Sequence, residues 1–488
     1  MKKSIIMAIL VGSSVNLQAQ NTFQDAYDQF KQQAEGKYET FREEANKTYV
    51  EFVRKAWETY EATPAVPMPK KEEVPPVIIP KEELLKPIES APIQIEEEVV
   101  RIPKLEPQPV PVAPIREQPI EAEKSMNFLF YGTLMSVRQV NEPVVQLKAC
   151  TPNGVADAWE KLSGKEYDNL IRDCLTLRIE HKLDDWAYLQ MLEQMAAAYM
   201  GNKGNEATLL MAYVFCQSGY QMRLGMEKGR LHMLFATRHT MYGMEFYRMN
   251  GKDYYMYGEQ VNHLDICDAA FPKETALSLW LPQNMVLTNL PSEPRTLKSS
   301  RFPDMELTVQ VNKNLIDFMN SYPTSEVSGN FMTRWAMYAN KPLEAQLADE
   351  LLPTLHQKLM GLNELEATER LLNWVQTAFV YEYDDKVWGD DRAFFPEETL
   401  YYPYCDCEDR SILFTRLVRN LLGLKCVLIY YPGHLASAVH FTSDDVAGDY
   451  ILLDGQRFVV CDPTYIGAPV GRTMPDMDNE TAHVILLE

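Results

Sequence analysis

The chain has 488 residues, which is too long for one ordinary hydrophobic core and predicts two or three domains. Apolar residues make up 46% of the chain and aromatic residues 11%, enough to fill those cores. The formal net charge of −22 argues against nucleic acid and against an anionic membrane surface as partners, because both repel an acidic protein.

Residues 1–20, MKKSIIMAILVGSSVNLQAQ, have the form of a secretory signal peptide. Lys2 and Lys3 precede a short apolar run, and Ala19 fits a cleavage point. The run is too short to cross a bilayer and no later stretch is long enough, so no transmembrane segment is predicted. We expect an exported bacterial protein, periplasmic or extracellular. A buried first helix is the alternative interpretation of this segment.

Residues 21–62 carry an eleven-residue repeat, which predicts one amphipathic helix of coiled-coil character. The helix would self-associate or dock on a partner in the cell envelope. A helix lying on a membrane surface is less favoured, because the polar face is rich in Glu. The repeat is formed by Tyr27, Tyr38, Tyr49 and Tyr60, by Phe30, Phe41 and Phe52, and by Ala34, Ala45 and Ala56.

Residues 63–125 form a Pro-rich segment, with 14 of the 30 prolines between positions 64 and 119. Such a composition predicts an extended, semi-stiff linker that separates the N-terminal helix from the globular part. Residues 126–290 then predict an α+β domain, helical at first and later rich in strands, with Asn250-Gly251 as a hairpin turn. Residues 291–362 are interpreted as a connecting segment, and residues 363–488 as a second α+β domain.

The sequence CEDRSILFTRLVRNLLGLK at 407–425 predicts a helix that ends near Gly423. Asp406 is a good N-cap, which puts Cys407 in the first turn of this helix. The positive end of a helix favours a thiolate, the form of cysteine that attacks carbonyl carbon. Glu408 and Asp409 oppose this effect, so a cationic partner such as histidine is required.

Two strands that follow this helix supply a histidine and an acid. His434 begins the predicted strand HLASAVHF after a Pro-Gly turn, and Asp462 ends the hairpin YILLDGQRFVVCD. Together with Cys407 they have the chemistry of nucleophile, general base and orienting carboxylate. His440 is the alternative base, and Asp454 is a weaker alternative acid because its turn explains it.

In this region the sequence resembles the transglutaminase-like superfamily, on the segments DCEDR, GHLASAV and CDPTY in that order. The resemblance covers about a quarter of the chain and implies a papain-like cysteine-protease fold for 363–488. It also implies that Cys407, His434 and Asp462 form the catalytic triad. Two positions depart from the family pattern: Cys405 replaces a common glycine, and Ala436 replaces a common aromatic residue. The second departure alters or opens the predicted substrate groove.

The oxyanion stabiliser expected for such a site is the backbone N–H of Cys407 with one further donor. The resemblance suggests an upstream polar or indole side chain, and Gln376 and Trp388 are the candidates for this oxyanion or supporting role. A zinc site built from Cys405, Cys407, His434 and Cys461 is disfavoured, because structural zinc sites rarely space cysteines one residue apart. Cys405 is alternatively a redox partner of Cys461 or Cys426.

An upstream stretch, ATLLMAYVFCQSGYQMRLGMEKGRLHMLFA, loosely matches the sequence around the triad. Aligning Gly219 with Gly423 places Lys203 opposite Cys407, so a duplicated first copy would lack the nucleophile. We therefore expect a middle domain that is either unrelated or a degenerate, inactive copy.

The expected function is a thiol-dependent hydrolase, a peptidase or amidase that acts on protein or peptide amide bonds through a thioester. Cell-wall peptide is one candidate substrate. No metal ion or organic cofactor is needed, because the thiolate performs the chemistry. Protein-glutamine acyl transfer is the first alternative, and a non-catalytic binding or scaffold protein of the envelope is the second.

Overall fold

The computed structural model describes residues 39–69, 74–93, 99–103, 107–119, 124–140 and 145–488. These residues form two compact units. The first contains the described residues within 1–65, 105–238 and 244–282, and the second those within 66–104, 239–243 and 283–488. Both helices and sheets are well represented, as the predicted α+β class requires. The predicted signal peptide, residues 1–20, lies outside the described residues.

The first unit packs five helices against an antiparallel sheet. The helices are α1 (Glu39–Val53), α2 (Pro152–Leu162), α3 (Asp168–Glu180), α4 (Asp185–Met200) and α5 (Asn205–Gln217). The strands are β1 (Trp57–Glu61), β2 (Ser125–Phe130), β3 (Thr133–Arg138), β4 (Met222–Glu227), β5 (Arg230–Ala236), β6 (Phe246–Met249), β7 (Lys252–Met256) and β8 (His263–Cys267). β2 and β3 form a separate hairpin. The other six form one sheet, in the order β1-β8-β4-β5-β7-β6.

The prediction of one helix over 21–62 is wrong at its C-terminal end. Residues 21–38 lie outside the described part of the chain, α1 covers Glu39–Val53, and the next segment, Trp57–Glu61, is a strand. This strand pairs antiparallel with β8, so that Tyr60 lies opposite Leu264. Pairing with a distant sheet edge supplies the backbone hydrogen bonds of this segment and overrides the helical period of the repeat.

Helix α1 is part of the first unit rather than a detached helix. Tyr49 is 2% exposed, and its ring lies 4.7 Å from that of Trp159 and 5.8 Å from that of Phe271. Arg42 pairs with Asp168 at 2.7 Å. Tyr49 of the repeat is thus buried within the same chain, whereas Phe41 and Phe52 of the repeat are exposed.

Replacing Tyr49 with alanine should therefore destabilise the first unit by about 3–5 kcal/mol, because it removes a buried ring from a packed aromatic cluster. Thermal unfolding of the full-length protein measures the effect. Phe52→Ala is the matched control, since Phe52 lies on the same helix and the same repeat but is 50% exposed. Equal losses in the two variants would contradict the packing described for α1.

The second unit also packs helices against an antiparallel sheet. Its helices are α6 (Lys313–Asn320), α7 (Thr333–Asn340), α8 (Ala345–Leu359), α9 (Glu364–Ala378), α10 (Pro396–Tyr401) and α11 (Cys407–Leu422). Its longer strands are β9 (Arg295–Lys298), β10 (Glu306–Val309), β11 (Lys425–Tyr431), β12 (His434–His440), β13 (Tyr450–Leu453), β14 (Gln456–Cys461) and β15 (His483–Leu486). One-turn helices lie at Lys81–Leu84 and Asp384–Val387.

The main sheet of the second unit has the order β13-β14-β12-β11-β15. One of its faces carries a buried apolar cluster that includes Ile429, Ala438, Val460 and Val484. The helix predicted after Asp406, the two strands after it and the hairpin turn at Asp454-Gly455 are all present. Residues 291–362 are not a separate connection, because they supply β9, β10 and three helices of this unit.

The predicted free-standing linker, 63–125, is also wrong in its described part. Val77 and Ile78 pair in parallel with Tyr465 and Ile466, and Ile93 N–H donates to the carbonyl of Tyr450. Farther on, Val100 forms a bridge with Ile485. Proline lacks the N–H that a sheet needs, but the residues between the prolines retain theirs and bond to sheet edges. These described residues of the segment are thus bound to strands of the second unit.

The two sheets share one strand order. Strands β8-β4-β5-β7-β6 of the first unit correspond to β15-β11-β12-β14-β13 of the second, with antiparallel pairing throughout. In both units a helix directly precedes the central hairpin, α5 in the first and α11 in the second. The first unit adds only β1 at one edge. The sequence left open an unrelated middle domain or a degenerate copy, and the shared strand order is the arrangement that a copy would have.

Candidate active site

The start of α11 is a complete capping box. The Asp406 side chain accepts hydrogen bonds from the N–H groups of Glu408 and Asp409, at 3.0 Å and 3.5 Å, and Asp409 accepts from Asp406 N–H. This cap makes Cys407 the first residue of a 16-residue helix, with 1% of its surface exposed. The predicted N-cap is confirmed, and the thiol lies at the positive end of the helix.

His434 and Asp462 form a buried pair. The His434 Nε2 and Asp462 Oδ2 atoms are 2.8 Å apart, and the two side chains are 0% and 2% exposed. The other carboxylate oxygen, Asp462 Oδ1, accepts from the N–H groups of Thr464 and Tyr465 at 2.8 Å and 3.2 Å. Because the backbone holds one oxygen, the second is held in the direction of the imidazole.

The charge state of His434 depends on its two neighbours. Burial alone would lower the pKa of His434, but the Asp462 carboxylate, its hydrogen bond and the adjacent Cys407 thiol outweigh burial and raise the pKa to about 10. Nε2 bonds to Asp462 and Nδ1 is buried without a hydrogen bond to any described residue, so Nδ1 is the ring nitrogen left for the thiol. The structure brings together the three residues that the sequence singled out.

Gln376 does not have the role of an oxyanion donor that the sequence suggested. Its amide nitrogen donates to the carbonyls of Asp462, Tyr465 and Ala468 at 3.1, 2.8 and 3.1 Å, and its oxygen accepts from Gly467 N–H at 3.1 Å. Both amide protons are therefore engaged. Gln376 instead supports the site, because it holds the loop that follows Asp462.

Trp388 is half-buried and lies in an aromatic cluster. Its ring is 4.7 Å from that of Tyr402 and 5.6 Å from that of Phe394, and the Arg392 guanidinium stacks on it at 4.9 Å. These contacts are structural, because they join the segment before α10 to Tyr402, the residue directly after α10. The suggestion that Trp388 donates a hydrogen bond to a reacting oxygen stays a prediction.

Arg410 is a buried residue that the sequence interpretation did not assign, although it belongs to the DCEDR segment. It is 1% exposed and lies one turn after Cys407. Its guanidinium donates to the carbonyls of Gln376, Phe379 and Pro463 at 3.1, 3.0 and 3.5 Å. Because Pro463 directly follows Asp462, this one side chain connects the helix of the nucleophile to the loop of the acid.

Cys405 is 2% exposed and is one of eight free cysteines. The redox pairs with Cys461 and Cys426 are therefore not formed in this structure. Burial raises the pKa of the Cys405 thiol, although Arg410 acts in the opposite direction. Cys405 thus remains a thiol at neutral pH and lacks the histidine that Cys407 has beside it.

The alternative base and acid lie away from this site. His440 is at the far end of β12, six residues and roughly 20 Å along the strand from His434, and its Nδ1 contacts the carbonyl of Arg457 at 2.9 Å. Asp454 occupies the β13–β14 turn with a φ of 48°. Neither is placed to replace His434 or Asp462.

A groove of about 480 Å³ opens beside the Cys407–His434 pair. Asp406 and Gly433, which directly precede the two residues, line its wall. The rest of the lining has two tyrosines, four aspartates, a valine and a glycine: Tyr381, Tyr383, Asp384, Asp385, Asp390, Asp391, Val74 and Gly389. The groove is large enough for several peptide atoms, and its charge favours cationic groups.

One group of side chains in the described residues has the arrangement of a metal site. Carboxylate oxygens of Asp384, Asp391 and Glu408 lie within 4.8 Å of one another. However, Arg334 pairs with Asp391, its Nη2 lies 3.8 Å from Glu408 Oε2, and Trp335 donates to the same oxygen at 2.9 Å. The guanidinium already supplies the positive charge that these carboxylates require, so the group fits an ion-pair cluster better than a metal centre.

No model of a known protein family matches this chain, and no curated protein matches its sequence. Among the residues that the structure describes, none of the helices is both long and apolar enough to cross a membrane. The chemistry of the site is therefore the basis for a functional conclusion.

Proposed function

We propose that this protein is a thiol-dependent hydrolase of protein or peptide amide bonds, of the transglutaminase-like type. The observation that supports this proposal is the buried arrangement of Cys407 at a helix start, His434 beside it and Asp462 at 2.8 Å from the His434 ring. A thiol, an imidazole and a carboxylate in this order can form, and then hydrolyse, a thioester.

In the first half of the reaction, the Cys407 sulfur attacks the amide carbonyl and its proton resides on His434. The backbone N–H of Cys407, which the Asp406 cap leaves unused, is placed to stabilise the developing oxyanion. The C–N bond then breaks, and His434 transfers its proton to the leaving amine. Asp462 holds the ring in the tautomer that this transfer requires.

In the second half, water attacks the thioester carbonyl and His434 accepts a proton from it. The C–S bond breaks, the carboxylic acid leaves and the thiol and imidazole are restored. Neither half requires a cofactor, because sulfur, imidazole and carboxylate provide the nucleophile, the proton carrier and its orientation.

The acidic groove favours a second candidate, acyl transfer to an amine, because five aspartates line the wall where a cationic amine would approach. Incubation with a glutamine peptide and a primary amine, followed by mass spectrometry, separates the two reactions. We expect release of ammonia, the mass change that corresponds to deamidation of one glutamine, and no incorporation of the amine. Incorporation of the amine would identify transfer, and the absence of both products from a broad set of peptides would contradict the proposal of an enzyme.

The groove should also select substrates by charge. Asp385 and Asp390 line it, both are exposed, and neither has a partner among the described residues. The double variant Asp385→Asn with Asp390→Asn should raise the KM for lysine-containing peptides roughly fivefold and leave neutral peptides unchanged, because exposed charges contribute modest, screened attraction.

The matched control for this charge effect is Asp444→Asn with Asp445→Asn, which removes two exposed charges outside the groove lining. Steady-state kinetics at low and moderate salt measures both pairs of variants. An equal rise in KM in the control would show that the net charge of the protein, rather than the groove, attracts the substrate.

A further inference from the structure

The first unit contains a position that matches the active site of the second. In the central hairpin of the second unit Tyr431 pairs with His434 across the turn, and in the first unit Glu227 pairs with Arg230 in the same way. Arg230 therefore occupies the place of His434. Aligning the turns in this manner also places Gly219 at Gly423, the glycine that follows α11.

The remaining two positions of the triad have also lost their reactive groups. In the second unit Cys461 lies opposite Ser437, and Met233 is the counterpart of Ser437 in the first unit. Tyr257 N–H donates to the carbonyl of Met233, so Tyr257 is the counterpart of Cys461. Gly258 then stands in the place of Asp462. The same register puts Lys203 opposite Cys407, and α5 begins two residues later, at Asn205. None of these three positions therefore carries the cysteine, histidine or aspartate of the triad.

An open cavity of about 200 Å³ is nevertheless present at this place. Glu193 and Ala197 of α4 line one part of it, and the other walls come from the counterparts of the three elements that build the triad of the second unit. They are the start of α5 with Lys203 before it, the first residues of β5, and the chain just after β7. The Asn205 side chain connects two of them, since it donates to the Gly229 carbonyl at 2.9 Å and accepts from Leu231 N–H at 2.9 Å.

A buried histidine with an unused nitrogen lines this cavity. His232 is 5% exposed and follows Arg230 by two residues, so the two side chains point to the same face of β5. Its Nε2 atom is buried and makes no hydrogen bond with any described residue. A buried polar atom without a partner is unfavourable, and a bound polar group would offset that cost.

The polar groups around the cavity favour a singly charged anion. Lys203 and Arg230 are cationic, and the 13-residue helix α5 has an N-terminus with no side-chain cap. Each cation is also close to one acid, Lys203 to Glu193 at 3.3 Å and Arg230 to Glu259 at 2.6 Å. These acids disfavour a doubly charged phosphate, and the thioethers and aliphatic groups of Met211, Met233 and Ala197 provide an apolar wall.

We propose that this cavity is a binding site for the carboxylate of a peptide, with the adjoining aliphatic side chain against the apolar wall. The carboxylate would lie between the start of α5, Lys203 and Arg230, and a polar atom of the ligand would reach His232. The site binds without reacting, because none of the three triad positions retains its chemistry. A hydrolase of peptides would gain a second point of attachment for its substrate or product.

Isothermal titration of full-length Cys407→Ala protein with acetyl-Ala-Ala-Leu tests this proposal without turnover. We expect binding of the free carboxylate, at least tenfold weaker binding of the same peptide as its C-terminal amide, and at least tenfold weaker binding in Lys203→Glu. Lys203 is 67% exposed, so this variant should fold normally. His232→Phe should also lose binding, because the ring fills the cavity. Lys228→Gln is the control, since Lys228 is exposed and does not line the cavity.

Acetyl-Ala-Glu-Ala amide, which offers only a side-chain carboxylate, determines the source of the anion. Binding of this peptide but not of acetyl-Ala-Ala-Leu would assign the site to acidic side chains rather than chain ends. Equal binding of the amide and the free acid, unchanged binding in Lys203→Glu and His232→Phe, or no binding at millimolar peptide would overturn the proposal. The titration has no catalytic readout, so its outcome is independent of whether the second unit proves to be a hydrolase.

Discussion

Cys407→Ala should abolish amide hydrolysis, with a loss in kcat/KM on the order of 10³ or more, because it removes the atom that forms the thioester. The thiol of Cys407 has a complete helix cap before it and His434 at its side. Cys407→Ser should be nearly as inactive, since a hydroxyl has a much higher pKa than a thiol and is a weaker nucleophile in a site built for sulfur.

The matched control is Cys405→Ala, two residues away, because it removes an equally buried thiol that has no histidine partner. Hydrolysis is followed by the appearance of new amines, and a thiol-directed electrophile with peptide mapping reports the reactive cysteine. We expect labelling at Cys407 that is lost in His434→Ala, and near-normal activity in Cys405→Ala. Preserved hydrolysis in Cys407→Ala would show that Cys407 is not the nucleophile, and equal labelling of several cysteines would favour a binding protein.

The parts of the site that could be predicted from the sequence are those with short-range causes. Asp406 caps α11 through bonds to residues two and three positions later, and Gly423 with a φ of 67° ends it. The Asp454-Gly455 turn sets the β13–β14 hairpin and thereby the position of Asp462. Each member of the proposed triad lies next to such a local signal.

The parts that could not be predicted depend on distant partners. Whether Trp57–Glu61 continues a helix or joins a sheet is decided by the free edge of β8, some 200 residues further along the chain. The docking of Val77, Ile93 and Val100 likewise depends on strand edges near the C-terminus. A Pro-rich composition reports only the absence of continuous regular structure, and not whether the residues between the prolines find such edges.

The supporting residues show the same limit in the second unit. Gln376 and Arg410 are buried polar residues on helices, and their roles depend on which backbone carbonyls surround them after folding. Sequence alone indicates that such groups need partners. It does not indicate that both side chains hold the loop that carries Asp462, so it predicts neither the loop contacts of Gln376 nor those of Arg410.

Asp462→Asn should reduce kcat/KM by about 10²–10⁴ although it changes few atoms, because it selects the wrong tautomer of His434. The Asn oxygen would accept from Thr464 and Tyr465 N–H as Oδ1 does now, which turns the amide N–H₂ toward His434 Nε2. Nε2 must then accept a hydrogen bond, so the proton of the neutral ring lies on Nδ1, and that nitrogen can no longer accept the proton of the Cys407 thiol.

The pH dependence supplies the decisive measurement. In the native protein His434, with a pKa of about 10, remains the acid for the leaving amine until the pH rises through that value, so activity should fall only there. Because the folded pKa exceeds the ordinary value of 6.5, the pair stabilises the fold fully below about pH 6.5, and this contribution is lost as the pH rises through about 10.

Asp462→Asn should move the alkaline limit of activity to lower pH and lower the unfolding temperature at pH 6 more than at pH 10. Asp454→Asn, the same change at an exposed turn, should do neither, and an unshifted alkaline limit in Asp462→Asn would show that His434 is not the proton carrier.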